Sequence, residues 1–503
     1  MIDKRGSGIL MHISSLPSDC GIGTIGADAY RFVDFLVEAK QTYWQILPVG
    51  PTSYGDSPYQ SFSTHAGNPY FVDFELLCED GLLEKSDYAK LKWGVNKAKV
   101  DYAKLYENRF TVLRKAFERF KQTDMRGFNE FLQKNDNWIS NYAMFMTMKG
   151  ANNGKCWLEW EEGLKRRDSH ALWMFKTEHA DEIMFWEFIQ FKFFEQWHKL
   201  KSYANEKGIK IVGDIPIYVA LDSAAVWVHP DLFDLDENLV PRTVAGCPPD
   251  AFSEDGQLWG NPIYNWEKHK ESGYYWWMDR LRAAEELFDV VRIDHFRGFA
   301  GYYTIPYGSA NAKKGEWKTG PGIEFFNMVK ERMPELEIIA EDLGFLTEDV
   351  YELLEQTGFP GMKIFEFAFD PDNESAYLPH NCVENSVAYV GTHDNETLLG
   401  WVKGLDKRVK KYIHEYLDIP SNVTEDEFAY KLIQRAFACT SRTLIIQMQD
   451  YLGLENDARM NTPAVGSGNW QWRMASKRLL SKKLAAKIAY LTKLYGRANV
   501  SEQ

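Results

Sequence analysis

The chain has 503 residues, which is longer than one compact domain of ordinary size, so large insertions or further domains are expected. Lys and Arg number 58 against 72 Asp and Glu, a formal net charge of −14. An acidic chain repels phosphate backbones, which argues against nucleic acid as a partner. The first residues, MIDKRGSGILMHISSLPS, have too short an apolar stretch for a signal peptide or a membrane span. We therefore expect a cytoplasmic protein with no membrane partner.

Cysteine and aromatic content add two expectations. The six cysteines are scattered without a Cys-x-x-Cys pair, which indicates reduced thiols and not a zinc ribbon or a disulfide framework. The chain has 17 Trp, 26 Tyr and 31 Phe. Aromatic rings mostly build the core, but Trp and Tyr in excess also suit a groove for flat amphipathic ligands such as sugars.

Seven short apolar runs that end in polar residues predict strands buried in a parallel sheet. They are GILMHISS (8–15), TYWQILPVGP (42–51), IKIVGDIPI (209–217), DVVRIDHFRG (289–298), EIIAEDLG (337–344), MKIFEF (362–367) and SVAYVGTHDN (386–395). Helical patterns such as 27–41 and 347–357 lie between them, and an eighth strand is expected near 462–467. This alternation favours an α/β fold of the (β/α)8 barrel type, with an open doubly wound sheet as the alternative.

The strands are unevenly spaced, which predicts insertions in one catalytic barrel that spans 1–503. A mainly helical insertion is expected at 75–207, between strands 2 and 3. A loop-rich insertion is expected at 218–288, between strands 3 and 4, and a second helical tract at about 400–455. Insertions that follow barrel strands emerge at the carboxyl face, so we expect 218–288 to cover an active site there. No β-sandwich domain is expected after the barrel.

Three of the predicted strands end in acidic residues. Asp294 closes VVRID, Glu341 and Asp342 close EIIAED, and Asp394 closes VAYVGTHD. A buried carboxylate without a partner is costly, so acids at three strand ends indicate a site that uses charge. The alternative is a structural role as caps or ion pairs, which we expect for Asp342.

The neighbours of these acids predict different pKa values. Arg292 and Asp294 are two residues apart in a strand and face the same side, so the guanidinium should hold the pKa of Asp294 down. The apolar residues 338–340 should desolvate Glu341 and raise its pKa. Two carboxyl groups with separated pKa values, about 5–5.5 Å apart, form a retaining glycosidic site. A metal-dependent hydrolase is the alternative, but His-x-His and His-Glu-x-x-His spacings are missing, and we expect neither metal nor cofactor.

The motifs RIDHFRG (292–298), AEDLG (340–344) and GTHDN (391–395) resemble the nucleophile, acid/base and third-acid motifs of the amylomaltases. This family, glycoside hydrolase family 77, is also called the 4-α-glucanotransferases or disproportionating enzymes. The resemblance also covers SSLPS (14–18), PTSYGDSPYQSFSTHAGNPY (51–70), VGDIPIYV (212–219), PPDAFSEDGQLWGNPIYNW (248–266) and GNWQWRM (468–474). It implies transfer of α-1,4-glucan segments between maltooligosaccharides, through a covalent intermediate, with release of glucose or short sugars.

The resemblance also implies roles for individual residues. Asp294 should be the nucleophile, Glu341 the general acid/base, and Asp394 the acid that holds the sugar 2- and 3-hydroxyls. The residues expected to contact sugars are Ser57, Tyr59, Asp214, Asp250, Phe252, Trp259, Asn261, Arg292, His295 and His393. Tyr54 is expected in a glucan contact away from the chemistry.

Two alternatives to a transferase stay open at this point. One is an α-glucan hydrolase of the amylase or α-glucosidase type, because no motif separates transfer from hydrolysis. The other is a catalytically silent glucan-binding protein, against which the three intact acids argue. No feature of the sequence fixes an oligomeric state.

Overall fold

A computed structural model describes residues 4–249, 253–344 and 346–498. Asp250, Phe252 and the side chain of Tyr54 lie outside the described part of the chain. The strands in these ranges are β1 (Gly6–Leu10), β2 (Tyr43–Gln45), β3 (Lys210–Pro216), β4 (Thr243–Cys247), β5 (Gln257–Pro262), β6 (Val290–Asp294), β7 (Gly301–Pro306), β8 (Glu316–Thr319), β9 (Glu337–Ala340), β10 (Gly361–Ile364), β11 (Ser386–Tyr389) and β12 (Thr443–Gln447).

Eight of these strands form one parallel sheet, in the order β10-β11-β12-β1-β2-β3-β6-β9. The two outer strands meet, because the N–H of Ala340 at the end of β9 donates to the carbonyl of Pro360, directly before β10, at 3.0 Å. The sheet is thus a nearly closed barrel with helices alongside it. The predicted (β/α)8 fold is confirmed, and the open doubly wound sheet is wrong.

The eighth barrel strand is not where the sequence placed it. Residues 462–467 contain no strand, and β12 lies inside the tract at about 400–455 that was expected to be helical. β12 is the five-residue apolar run TLIIQ, and it pairs with β1 and with β11. The periodicity of so short a run does not separate a buried strand from a buried helical turn, and helices flank it on both sides.

The α-helices surround the barrel and fill the long connections. In the described ranges they are α1 (Ala27–Glu38), α2 (Phe74–Glu79), α3 (Tyr102–Phe120), α4 (Arg126–Lys134), α5 (Ile139–Ala151), α6 (Glu162–Lys165), α7 (Ser169–Glu178), α8 (Ala180–Glu206), α9 (Ala224–Val228), α10 (Trp266–Glu271), α11 (Tyr275–Leu287), α12 (Gly322–Arg332), α13 (Glu348–Thr357), α14 (Leu398–Gly404), α15 (Lys407–Tyr416), α16 (Glu425–Ala438), α17 (Met448–Leu452) and α18 (Lys482–Leu494). Helices α2 to α8 lie between β2 and β3. None of the described helices combines the length and the apolar character that a membrane crossing needs.

A second, four-stranded antiparallel sheet has the order β5-β4-β7-β8. Two different connections build it: β4 and β5 lie between β3 and β6, whereas β7 and β8 lie between β6 and β9. β7 and β8 were not predicted from the sequence. The ring of Trp259 on β5 packs edge-on against His295, just after β6, with 4.8 Å between the ring centroids. The small sheet therefore flanks the barrel at the carboxyl end of β6.

Arg497 fastens the end of the described chain to the barrel. Its guanidinium is fully buried. It donates hydrogen bonds to the carbonyls of Gly6, Phe437, Cys439, Ser441 and Arg442.

We expect Arg497→Ala to lower the free energy of unfolding by about 3–5 kcal/mol, because the buried carbonyls lose a charged donor. Urea denaturation measures this loss. Lys493→Ala, at an exposed position of α18, is the control and should change stability by less than about 0.5 kcal/mol.

Candidate active site

Two carboxyl groups lie side by side at the ends of β6 and β9. The register pairs Ile293 with Ala340, so Asp294 and Glu341 hold the next positions on neighbouring strands. Adjacent strands are about 4.8 Å apart, which is close to the separation of about 5–5.5 Å in a retaining carboxyl pair. The N–H of His295 donates to Glu341 Oε2 at 2.6 Å. The strand geometry and this hydrogen bond bring the predicted nucleophile and acid/base together.

A buried ion pair supports Asp294 from inside the barrel. Asp214 on β3 and Arg292 on β6 are register partners, so their side chains leave the sheet on the same side. Arg292 Nη1 donates to Asp214 Oδ1 and Oδ2 at 2.8 and 2.6 Å, and to Asp294 Oδ1 at 3.0 Å. The side chains of Arg292 and Asp214 are 3% and 0% exposed. Charge-assisted hydrogen bonds at such a desolvated position fix the orientation of Asp294.

The pKa values of the carboxyl pair follow mainly from burial. Desolvation raises the pKa of Glu341 above its ordinary value, which confirms the prediction for this residue. It also raises the pKa of Asp294 well above the ordinary value, with Arg292 opposing the rise and the charge of Glu341 adding to it. The prediction that Arg292 holds the pKa of Asp294 down was therefore wrong in net direction. The guanidinium acts in the expected sense, but desolvation has the larger effect.

The third acid, Asp394, follows β11 and faces the same site. Its carboxylate accepts a hydrogen bond from Asn461 Nδ2 at 2.6 Å, and His393 Nε2 lies 3.5 Å from the same oxygen. Arg459 Nη2 donates to the carbonyl of Asp394 at 2.5 Å. The charge of Asp394 is near enough to contribute to the raised pKa of Asp294. The three acids named from the sequence thus converge at the carboxyl end of the barrel.

Aromatic rings form the walls of this site. The ring of Tyr59 stacks on His393, with 5.2 Å between centroids and 15° between planes. Trp470 packs against both rings at 5.7 and 6.0 Å, while Trp259 and His295 pair near β6. Burial lowers the pKa of His393, and it lowers the pKa of His295 to about 3. Both imidazoles are therefore neutral near pH 7 and can donate or accept hydrogen bonds to hydroxyl groups.

Two of the other predicted sugar contacts lie beside Tyr59. The N–H of Tyr59 donates to Ser57 Oγ at 3.2 Å. Asn261 at the end of β5 donates from Nδ2 to the carbonyl of Val219 at 2.8 Å, and its Oδ1 accepts from Gln60 Nε2 at 3.1 Å. These contacts join the 57–60 segment to the small sheet, on the side of the barrel mouth where Trp259 lies.

Asp342 has a structural contact, as expected. Its Oδ1 accepts the N–H of Met362 on the neighbouring β10 at 2.6 Å. A Cβ at Gly361 would lie 2.5 Å from Asp342 Oδ2, so β10 passes very close to this carboxyl. Burial raises the pKa of Asp342 to about 7.

Four residues of the site were missed from the sequence: Gln60, Arg459, Asn461 and Trp470. Gln60 and Trp470 lie in the segments 51–70 and 468–474, which carry the family resemblance, so that resemblance could have identified them. Arg459 and Asn461 follow α17. Because the eighth strand was predicted at 462–467 and not at β12, the sequence did not place these two residues after a barrel strand, at the barrel mouth.

Tyr59 connects the aromatic wall to the ion pair. Its hydroxyl donates to Asp214 Oδ2 at 2.8 Å, and burial raises the pKa of Tyr59 so that it stays a neutral donor. We expect Tyr59→Phe to lower kcat/KM by about 5–15-fold, since it removes one hydrogen bond to a charged group and keeps the stacked ring. Tyr59→Ala removes the ring as well and should lose more. Initial rates on maltotriose test this order, and equal losses in the two variants would contradict it.

A (β/α)8 barrel with a carboxyl pair, a third acid and aromatic walls at its carboxyl mouth is the architecture of an enzyme that acts on glycosidic bonds. The family model of glycoside hydrolase family 77, described as 4-alpha-glucanotransferase, matches residues 11–479. The chain belongs to this 4-alpha-glucanotransferase family and is a glycosyl-transferring enzyme.

Individual relatives agree with the family over the full length. The chain is 48% identical to a 4-alpha-glucanotransferase of Clostridium butyricum, over 97% of this chain and 100% of the relative. It is 49% identical to one of Streptococcus pneumoniae, over 99% and 98%. The amylomaltase of Streptococcus agalactiae, solved in complex with acarbose, superposes with a TM-score of 0.96 at 45% identity, over 99% of this chain and 100% of that one. The amylomaltase of Corynebacterium glutamicum shares the fold, with a TM-score of 0.79 at 18% identity, over 98% and 75%.

Proposed function

We propose that the chain transfers α-1,4-glucan segments between maltooligosaccharides by a retaining double displacement at Asp294 and Glu341. The observation that carries this proposal is the position of the two carboxyl groups at adjacent strand ends. The acarbose in the Streptococcus agalactiae amylomaltase supports an oligosaccharide ligand for this site. All the relatives named above are transferases or amylomaltases, and none favours the hydrolase or the silent binding protein.

In the first step, Asp294 attacks the anomeric carbon of the donor. The glycosidic bond breaks, Glu341 gives its proton to the leaving oxygen, and a glycosyl ester forms on Asp294. This step needs a proton on Glu341 and an ionised Asp294, although burial raises the pKa of Asp294 as well. The contact of Arg292 with Asp294 Oδ1 favours that distribution, because the guanidinium stabilises the ionised form of the group it touches.

In the second step, Glu341 acts as a base. Its carboxylate takes the proton of an acceptor 4-hydroxyl, and that oxygen displaces Asp294 from the anomeric carbon on the face the leaving group had occupied. Two displacements restore the α-configuration. Glu341 is held for both steps by backbone donors, since the N–H groups of His295 and Leu343 donate to its two oxygens at 2.6 and 2.8 Å.

The residues around the pair stabilise the sugar ring as positive charge develops on it. We assign Asp394 to the 2- and 3-hydroxyls of the donor sugar, with His393 beside it and Asn461 holding one carboxylate oxygen. Hydrogen bonds from sugar hydroxyls to a fixed carboxylate strengthen as the ring flattens toward the oxocarbenium-like state. We assign Tyr59 and Asp214, which are hydrogen-bonded to each other, to the same sugar.

Transfer requires that a sugar hydroxyl reaches the intermediate before water does. Acceptor subsites must hold that hydroxyl at a high effective concentration in a site that excludes water. Trp259 is half-buried and lies against His295 at the edge of the small sheet. We assign its ring, with Asn261 and Ser57, to neighbouring sugars, and the described part of the 218–288 insertion to the cover of the site.

Incubation with maltotriose alone tests the proposal. Free glucose together with oligosaccharides longer than maltotriose is the expected result, and products that are only shorter would contradict transfer. The same incubation with Asp294→Asn shows which products depend on the site.

We also propose a cytoplasmic location. Cys382 and Cys439 are buried thiols without a disulfide bond, which suits a reducing compartment. Cell fractionation with an antibody to the chain tests this, and recovery of the chain in the culture medium would contradict it.

A further inference from the structure

The turn that carries the third acid is closed by an asparagine side chain. Asn395 Oδ1 accepts hydrogen bonds from the N–H and from Oγ1 of Thr392, both at 2.9 Å. The N–H of Asn395 donates back to the carbonyl of Thr392 at 3.1 Å. The N–H of Asp394 donates to Thr392 Oγ1 at 3.3 Å. The backbone of Asp394 therefore depends on the orientation of the Asn395 amide.

Glu366 lies beneath this turn, just after β10. Its N–H donates to the carbonyl of Val390 at 3.1 Å. A Cβ at Gly391 would lie 3.0 Å from Asn395 Cβ, and the Asn395 side chain is near enough to the Glu366 carboxyl to oppose the burial that raises its pKa. Because Asn395 Oδ1 already accepts from Thr392, its Nδ2 is the side-chain atom that can donate to this carboxyl. A Cβ at Gly391 would lie 2.7 Å from Glu366 Oε1, so the carboxyl is pressed against the first residue of the turn as well.

A second buried carboxyl group, on Asp450 of α17, is near enough for its charge to raise the pKa of Glu366 beyond the effect of burial. Asp450 Oδ1 accepts the N–H of Leu398 at 2.8 Å. Asp450 Oδ2 and Glu366 Oε1 are both buried, and neither has a hydrogen-bond partner among the described residues. Two ionised carboxylates that repel each other are not stable at buried positions without donors, and a proton on one of them removes the repulsion.

The groups around Glu366 decide where that proton lies. Burial raises its pKa well above the ordinary value, and the charges of Asp450 and Glu396 raise it further, whereas Asn395 and Arg459 lower it. Burial raises the pKa of Asp450 only to about 7. The raised pKa favours the neutral form of Glu366.

We propose that Glu366 is a positioning residue for Asp394, which braces the Asn395 side chain and thereby holds the 391–395 turn in its catalytic orientation. The inference rests on the role proposed above for Asp394. We propose no contact between Glu366 and the sugar. Glu366 affects the rate only because it holds the 391–395 turn.

Replacement of Glu366 by Gln and by Ala separates a positioning role from mere packing. Glu366→Gln keeps an oxygen for Asn395 Nδ2 and offers an amide donor to Asp450, so kcat should stay within about 3-fold of the parent. Glu366→Ala leaves the turn unbraced and should lower kcat about 10–100-fold, since a small misplacement of a catalytic group has effects of that size. KM for maltotriose should change by less than about 3-fold.

Parental kcat in Glu366→Ala, or equal losses of kcat in both variants, would overturn the proposal. Glu374→Ala, at an exposed position of the same β10–β11 connection, is the matched control and should match the parent.

The pH dependence of stability gives a readout that does not use activity. A group with a raised pKa in the folded state retains a proton that the unfolded chain releases, so stability is lost as pH rises from the unfolded pKa toward the folded one. The neutral amide of Glu366→Gln has no such loss. Its Tm should exceed that of the parent at about pH 8, and the difference should shrink toward about pH 4, where a glutamate is protonated in both states. A difference that is the same at both pH values, or of opposite sign, would overturn the assignment of the neutral acid.

A double-mutant cycle with Asp394→Asn shows whether the effect passes through the third acid. Residual rates are measured on an α-maltosyl fluoride donor. If Glu366 acts through Asp394, Glu366→Ala in the Asp394→Asn background should lower the rate by less than about 3-fold. Losses that multiply would overturn this inference alone. An Asp394→Asn variant with parental activity would overturn the proposed role of Asp394, and the inference with it.

Discussion

Asp294→Ala is expected to lower kcat on maltotriose by at least about 10⁴-fold, because the variant has no nucleophile to form the glycosyl ester. The loss should appear in kcat more than in KM, since most sugar contacts stay in place. Asp294→Asn keeps the volume of the side chain and removes only the charge, and it should lose nearly as much. Initial rates of glucose release, with maltose and maltotetraose measured alongside, give both parameters.

The control for Asp294 is an exposed acid that lies outside the site. Glu348 is exposed at the start of α13, and Glu348→Ala should keep parental activity. Thermal unfolding of each variant shows whether the fold is intact. If a well-folded Asp294→Ala retains more than about a tenth of the parental kcat, the double displacement proposed here is wrong.

The sequence predicted the position of the acids better than it predicted their energetics. Asp294 and Glu341 could be identified because each closes an apolar run, and parallel strands bring their carboxyl ends to one edge. The net pKa direction of Asp294 could not be predicted, because it depends on how completely the surrounding structure removes water. Arg292 was visible two residues away, whereas the desolvation that outweighs it arises from the three-dimensional packing of the barrel.

The same limit explains the errors in the fold. The other seven barrel strands lie in apolar runs that stand apart from the helical patterns beside them. β12 reads TLIIQ-MQDYL without a Gly or Pro between strand and helix, so it merged into the helical pattern around it. Arg459 and Asn461 follow that strand, and they contact Asp394 because β12 pairs with β11, the strand that precedes Asp394. A missed strand thus removed two residues from the predicted site.

Glu341→Gln is expected to separate the two steps of the reaction. With maltotriose, kcat should fall about 10³–10⁴-fold or more, because a neutral amide cannot protonate the leaving oxygen. With α-maltosyl fluoride, formation of the intermediate should be largely retained, since fluoride leaves without a proton. The acceptor step still lacks its base, so a glycosyl ester on Asp294 should accumulate. Intact-protein mass spectrometry measures that adduct as an added maltosyl group.

The pH profile adds an independent test of Glu341. Because burial raises its pKa, the acid stays protonated to higher pH than a free glutamate, and activity on maltotriose should fall as pH rises through that raised value. Formation of the ester from the fluoride donor needs no proton from Glu341, so this alkaline loss should be missing from that step in Glu341→Gln. Persistence of the same loss in the variant would assign it to another group. If no adduct forms, or if the adduct maps to a residue other than Asp294, the nucleophile and the acid/base have been assigned to the wrong side chains.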